Sequence, residues 1–424
     1  MKCEHDARGV LMVGLHFPPS ATSTGHLRTL GFARHLPQFG WKPIVLSARP
    51  LAYEAVDPAG FDAIPPHLCV QRTLAFDAKR HFGIGGRYPA MLARPDRWIS
   101  WYPTAVLAGL RLIRRHRVSA VWSTYPHMTP HCVAHTLSRI ARIPWIADFR
   151  DPVPVSVIGK DRRTVAVQMR WERRVFERAA CSVFTTGMAM QSCAKRYPAL
   201  LRDGRAQVIP NGFDEEDFQA LTVSKAAHPR DPVHLVHSGA LYPDGRDPMA
   251  FFEALARLKD DGVLRSGMLR VTLRGSGSEA HYAEVLERMG LGDIVSFAPP
   301  LPYRAALEEQ AAADALLLFQ GSGFDQQIPA KLYEYLRIGR PIFALAGAEG
   351  ETARLLRNIS PAVTVPLDSV EAIATRLPAF LDAVRDGAFD GMPWPEVAQY
   401  SRRHATRQLA DLLGRIAGMP DDPA

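Results

Sequence analysis

Several short stretches of the chain put charged or small residues directly after apolar runs, where a strand would hand over to a helix. The most specific is Ile328-Pro-Ala-Lys331-Leu-Tyr-Glu334-Tyr-Leu336, followed by Gly339-Arg-Pro341. Pro329 suits the first turn of a helix. Lys331 and Glu334, at i and i+3, share one helical face. A glutamate there can accept both hydroxyls of a ribose while helix N–H groups meet phosphate; the alternative is a surface ion pair. Gly239 follows the apolar run Val233–Ser238, with Arg246 and Asp247 ahead of the next helical stretch. A cation beside a helix N-terminus suits a diphosphate. In Arg274-Gly-Ser-Gly277, Gly275 and Gly277 either admit a nucleotide close to the backbone or make a simple turn.

The first half carries two further candidates. The loop His16–Gly25 is rich in small residues, and Gly25 lets the backbone approach a phosphate; a plain strand-to-helix turn fits as well. It is not G-x-G-x-x-G, so no dinucleotide fingerprint is present. Asp148-Phe-Arg150-Asp151 closes the apolar run Ile143–Ala147. A carboxylate at such a strand end can hold an acceptor hydroxyl or act as a base; the alternative is an N-cap with a surface ion pair. His127, in Tyr125-Pro-His127, ends the preceding strand and is expected to face the same space. No Asp-x-Asp motif occurs, so the sequence calls for no metal ion.

The elements that position these residues alternate in type. Val10–His16, Pro43–Ser47, Ala120–Ser123, Trp145–Asp148, Ser182–Thr185 and Gln207–Pro210 read as strands, with helices at Leu27–Phe39 and Met128–Ala141. A polar stretch over 211–232 breaks the pattern, which then restarts with strands at Val233–Ser238, Leu269–Leu273, Val295–Phe297, Ala315–Phe319 and Pro341–Ala346. Val397–Ile416 is a separate amphipathic helix with Ala405, Leu409, Leu412 and Ile416 on one face. The predicted architecture is α/β: two doubly wound, Rossmann-like domains facing a cleft at the carboxyl ends of their strands. The expected division is 1–212, a linker at 213–232, a second domain at 233–395, and a terminal helical segment at 396–424.

Composition narrows the class. The 424 residues suit two domains, and 47% hydrophobic with 22% charged residues is ordinary for a globular chain. No window approaches the ~20 apolar residues that span a bilayer. The apolar run within Met1–Val13 is too short for a secretory signal and reads as a first strand. Five scattered cysteines without a C-x-x-C pair support neither a disulfide framework nor a zinc site, and fit a reducing cytoplasm. Residues 1–210 carry 30 Lys and Arg against 13 Asp and Glu, a net of +17, whereas the remainder carries 21 against 30, a net of −9. A basic half suits an anionic membrane surface, a phosphorylated substrate or nucleic acid, and no nucleic-acid motif is present. Between Lys79 and Arg117, arginines alternate with Phe82, Tyr88, Trp98, Trp101 and Tyr102. That mixture suits a lipid headgroup region, or else a core strip with a solvated arginine face.

Taken together, Phe17-Pro-Pro with Gly25, Ile143–Pro152, Val208–Asp214, Gly245–Pro248 and Pro329–Leu336 resemble the retaining glycosyltransferases of family 4, with the GT-B fold. The resemblance runs over nearly the whole chain. It implies transfer of a sugar from a nucleotide-diphosphate donor, held by the C-terminal domain, to a sugar or lipid-linked acceptor held mainly by the N-terminal domain. It also implies a last helix crossing back onto the first domain. The expected role is cell-surface glycan or glycoconjugate synthesis, and the basic charge of residues 1–210 points to the inner face of the cytoplasmic membrane. By position, Glu334 resembles the glutamate that binds the donor ribose and Arg246 a basic residue on the diphosphate. Arg150 and Asp151 fall where many members place a catalytic-site histidine. Two positions depart from the pattern: Gln326 stands where the paired-glutamate motif has its first glutamate, and Ala240 where a basic residue follows Gly239. These departures keep two rivals in view, a GT-B nucleotide-sugar epimerase and a catalytically silent sugar- or nucleotide-binding protein.

Overall fold

The computed structural model describes residues 7–21, 25–85, 87–151, 162–219, 221, 231–357, 362–389 and 394–418. The chain divides into two compact units, 1–211 together with 402–424, and 212–401. Each is built on a parallel sheet.

The first unit has seven strands: β1 (Arg8–Val13), β2 (Trp41–Ala48), β3 (Cys69–Thr73), β4 (Val118–Thr124), β5 (Trp145–Phe149), β6 (Cys181–Phe184) and β7 (Ala206–Val208). Their order is β3-β2-β1-β4-β5-β6-β7. Val10 to Val13 are fully buried, as a central parallel strand covered by helices on both faces requires. Trp98 and Trp101 lie in this core, 4% and 0% exposed, with Trp101 Nε1 donating to Thr73 Oγ1 at 2.7 Å. Tyr102 hydrogen-bonds Thr136 at 2.8 Å. Of the aromatics in the expected membrane stretch, Trp98 and Trp101 are therefore core, Tyr88 and Tyr102 are half-buried, and Phe82 stays exposed; Arg111, Arg114 and Arg115 lie on the exposed side of the helix Trp101–His116.

The second unit has six strands: β8 (Val233–Ser238), β9 (Leu269–Arg274), β10 (Val295–Ala298), β11 (Ala315–Gln320), β12 (Ile342–Ala346) and β13 (Ala362–Val365). Their order is β10-β9-β8-β11-β12-β13. Of the stretch expected to be a linker, Phe213 and Phe218 instead pack into this unit's core, and Arg337 pairs with Glu215. Residues 220 and 222–230 of it lie outside the described residues.

The terminal helical pattern splits into Trp394–Ala398 and Arg402–Ile416. The longer helix belongs to the first unit. Ala405, Leu409, Leu412 and Leu413 cover Val10, Met12, Phe32 and Trp122 there. Arg403 Nε and Arg415 Nη2 add bonds to Gln38 and Gln207, each 2.8 Å.

Candidate functional site

In both sheets the strand order reverses beside the first strand of the unit, between β1 and β4 and between β8 and β11. Loops leaving the carboxyl ends of these strands splay apart, and that gap is where open α/β sheets take ligands. The candidate residues collect at these two places.

In the second unit, Gly239 leaves β8 with φ +128°, a value that favours glycine. Side-chain space is equally restricted: a Cβ on Gly239 would lie 2.5 Å from Lys331 Nζ. Lys331 reaches this point from the helix Ala330–Ile338, which Pro329 starts and Gly339 ends. Arg246 stands in the same loop system, its guanidinium over the rings of Tyr242 and Phe324 at 5.5 and 5.7 Å. Its Nε is buried without a hydrogen-bond partner. Burial, and next Arg246, bring the Lys331 amine down to about 7, against the pull of Glu334. Two basic side chains thus converge beside a glycine, and one of them, Arg246, has an unmet donor. Such an arrangement is costly without an anion and favourable with one.

The neighbouring loops are tied down by their own backbone. Gly239 N donates to Arg274 O and Gly275 N to Ala298 O, each at 2.8 Å, while Gly277 N donates to Glu279 at 3.1 Å. The glycine amides expected to approach a nucleotide at these three positions are therefore engaged, which leaves side chains as anion donors. Gly275 and Gly277 shape the turn, with φ of 60° and 70°. Arg274 is bidentate to Glu309. Asp247 accepts from Met249 N at 3.2 Å and Tyr282 Oη at 3.1 Å, anchoring the start of the next helix. Glu334 lies one turn beyond Lys331 and accepts from Tyr303 Oη at 2.9 Å. Gln326 is partly buried, just after the turn Ser322–Phe324.

In the first unit, Gly25, His127 and Arg150 line one small pocket with His16, Thr29 and Tyr125. Arg150 Nε donates to Tyr125 O. Its guanidinium occupies the space a side chain at Gly25 would need, 1.4 Å from an added Cβ, so a larger residue there would push the guanidinium aside. His127 packs on Trp98 at 4.2 Å and on His16 at 5.2 Å. Burial, followed by Arg150, holds the His127 imidazole near 3, and burial, followed by His127, holds His16 near 3. Both rings are neutral at physiological pH. Asp151 Oδ2 lies 3.8 Å from Arg150 Nε, and its side chain is 46% exposed.

Asp148 is not part of this pocket. It is fully buried, with both oxygens held by Arg28 at 2.8 to 3.3 Å and a further bond from Thr124 at 3.1 Å. Arg28 also donates to Ile209 O at 2.9 Å and Pro210 O at 2.8 Å. This pair fastens the helix His26–His35 to β5 and to the chain after β7. Asp148, expected at an acceptor or phosphate loop, is a structural anchor. Reading by sequence missed Arg28, His16 and His237. The available signal for His237 was a histidine inside an apolar strand, since a buried polar ring demands partners.

No protein-family model and no curated protein sequence matches the chain. Solved structures do resemble it. A sucrose-phosphate synthase from Thermosynechococcus elongatus superposes with a TM-score of 0.60 at 15% identity, covering 97% of this chain and 99% of that one. Anabaena HepE in complex with UDP-glucose gives 0.61 at 14%, covering 96% and 99%. A Listeria monocytogenes protein assigned as a UDP-N-acetylglucosamine 2-epimerase gives 0.57 at 12%, covering 98% of each. At these identities the likeness bears on architecture. The two parallel sheets, the strand orders and the returning last helix are those of the GT-B fold.

Proposed function

We propose that this protein is a glycosyltransferase that takes a sugar from a nucleotide-diphosphate donor. The observation that carries the reading is the pair Arg246 and Lys331 at the strand-order reversal of the second unit, with Arg246 Nε buried and unpartnered. Donor cleavage builds charge on the leaving diphosphate. Fixed cations in a partly water-excluded site stabilise that charge without reorganising, the role a metal ion plays elsewhere. Glu334, on the same helix as Lys331, is the residue proposed for the donor ribose. The nucleotides named with the structural neighbours, UDP and UDP-glucose, support a uridine donor as the first to try.

The acceptor is assigned to the first unit, where His127, Arg150 and Asp151 supply a neutral acceptor ring, a cation and a partly exposed carboxylate. Transfer with retention, family 4 membership and a part in glycan or glycoconjugate synthesis are the finer form of the proposal. A lipid-linked or otherwise anionic acceptor, met at an anionic membrane surface, accords with the +17 charge of residues 1–210. With Trp98 and Trp101 in the core, that part rests on the exposed arginines and on exposed Phe82. Sedimentation with anionic liposomes should fall with salt and with Arg111, Arg114 and Arg115 changed to glutamine. Binding equal to neutral liposomes at low salt refutes it.

The transferase reading is tested by incubating the purified protein with a panel of nucleotide sugars, with and without mixed acceptors. Released nucleotide diphosphate that depends on acceptor, and that drops at least tenfold in Arg246→Ala, is expected. Conversion of donor alone into its epimer selects the epimerase. Ala240 and Gln326 favour a silent binding protein, which would bind donor and turn over nothing.

A further inference from the structure

β8 places a histidine where its apolar pattern suggests an aliphatic residue. His237 is fully buried, its ring edge-on to Phe319 at 5.0 Å. Its Nδ1 lies 2.9 Å from the Leu317 carbonyl oxygen. A carbonyl can only accept, so Nδ1 carries the proton, and in the neutral ring Nε2 is an acceptor. Nε2 faces Lys331 Nζ at 3.4 Å. A protonated His237 would point a second N–H at Lys331. Burial and then Lys331, with Arg246 a lesser contributor, hold the ring well below the usual histidine range. It therefore stays a neutral acceptor.

The titratable groups around Lys331 are the neutral His237 from β8, Arg246 from the following loop, and Glu334 on its own helix. Burial together with Arg246 outweighs the single carboxylate, which lies one turn away and accepts from Tyr303. Gly239 leaves the amine room to stand in the site, since any Cβ there would lie 2.5 Å from it. Ala240, where the resemblance leads one to expect a cation, contributes none. The second cation comes instead from the helix Ala330–Ile338.

We propose that this site binds its diphosphate together with a proton. Above pH 7 Lys331 rests mainly as a free amine donating to His237, and an anion entering beside Arg246 draws a proton from solvent onto Nζ. His237 is a positioning residue, the neutral acceptor that keeps the amine aimed in both states. The inference rests on the donor reading above. Its balance is simple, because no covalent bond changes other than the new N–H, and the proton comes from buffer. An approaching anion favours the ammonium, so the amine, near 7 in the empty site, rises on binding. At pH 8 an amine near 7 is only about one-tenth protonated, so full protonation takes up about 0.9 of a proton. The terminal phosphate of UDP, with a second ionisation near ~6, is already fully ionised there.

The experiment is calorimetric titration of the full chain with UDP, and with pyrophosphate, in EDTA-containing buffers of different ionisation enthalpy from pH 6.5 to 9. Uptake of between about 0.5 and 0.9 of a proton per UDP at pH 8 is expected, with affinity falling up to about tenfold per pH unit above pH 7. Lys331→Met should abolish the uptake and flatten the pH profile. His237→Leu should weaken UDP binding and shrink the uptake, and His237→Gln, which can return an acceptor near the Nε2 position, should restore both. UDP binding by the unaltered protein with no proton uptake at pH 8, or the same uptake in Lys331→Met, overturns the proposal and leaves the donor reading standing. Failure of every nucleotide diphosphate and of pyrophosphate to bind overturns both. If His237→Leu does not fold, comparison of the unaltered protein with Lys331→Met still decides.

Discussion

The first unit should be acid-labile, because it buries three neutral histidines. His131 is fully buried, paired with Ser123 at 2.7 Å through Nδ1 and unpartnered at Nε2. Burial alone depresses it to about 3, the value also reached by His16 and His127. In the unfolded chain each titrates near ~6.5. Their native values are depressed, so their contribution is fully present above pH 6.5 and is lost as pH falls below it, where only the unfolded chain binds the protons. Three such groups give a slope of about 4 kcal/mol per pH unit below pH 6, and a loss of about 6 kcal/mol by pH 5 as an upper bound. Domain stabilities are about 5–15 kcal/mol, so the loss by pH 5 is a large share of the first unit's stability and approaches its unfolding midpoint if that stability lies at the low end. Six of the seven tryptophans lie in that unit, so intrinsic fluorescence reports on it. Guanidinium unfolding followed by fluorescence at pH 8, 7, 6 and 5 measures the slope. His131→Gln should reduce it by about one-third. Stability that is flat from pH 7 to 5 refutes the argument.

Four other outcomes follow. Arg28→Met strands the Asp148 carboxylate in the core and should cost about 3–5 kcal/mol, with Arg28→Met/Asp148→Leu losing less than the single variant in the same denaturation assay. Lys331→Met should stabilise the empty protein by about 1–3 kcal/mol at pH 6, because a depressed lysine penalises the native state below about pH 7 and the penalty fades as pH rises towards ~10.4; an unchanged melting temperature at pH 6 contradicts this. Glu334→Ala should weaken donor binding at least tenfold while the melting curve stays within a few degrees; unchanged affinity by calorimetry removes Glu334 from the donor site. Activity should survive EDTA, because Arg246 and Lys331 are assigned the leaving-group charge; complete loss, restored by magnesium or manganese, overturns that assignment.

The parts of the fold legible in the sequence were those with one dominant signal. The buried central strands announced themselves as apolar runs, and Met128–Ala141 emerged with its boundaries intact. The edge strands β3 and β13 did not, because half-buried edges mix polar and apolar residues without a continuous run. The helix Arg162–Arg178 escaped for a related reason: its basic residues surround a narrow apolar stripe of Val175 and Phe176. In the site, local spacing picked out Gly239, Arg246 and Lys331 separately, but that Lys331 fills the space beside Gly239 is a fact of tertiary structure 92 residues apart. Asp148 was misread because a carboxylate at a strand end looks the same whether a substrate or Arg28 holds it. The partner lies 120 residues away and leaves no local trace.

The same tertiary view bears on the departures from the family pattern. Ala240 counts against a working transferase only if the cation expected there has no substitute. Lys331 stands against Gly239, the residue before it, and Arg246 completes a pair in which one buried donor lacks an acceptor. A protein that had lost its ligand would be expected to lose such a feature, since a buried unpartnered Arg246 donor and a depressed Lys331 destabilise the empty fold. Gln326 is different in kind. An amide can hydrogen-bond a sugar hydroxyl but brings no charge, so under the proposed transferase reading its effect falls on which sugar is transferred and how fast. The two departures therefore separate experimentally. Restoring a cation by Ala240→Arg should add little affinity for UDP, because Lys331 already supplies that charge. Gln326→Glu should change the ranking of donor sugars in a transfer assay. A large gain in UDP affinity from Ala240→Arg, tenfold or more, would mean that Lys331 does not substitute for the missing cation.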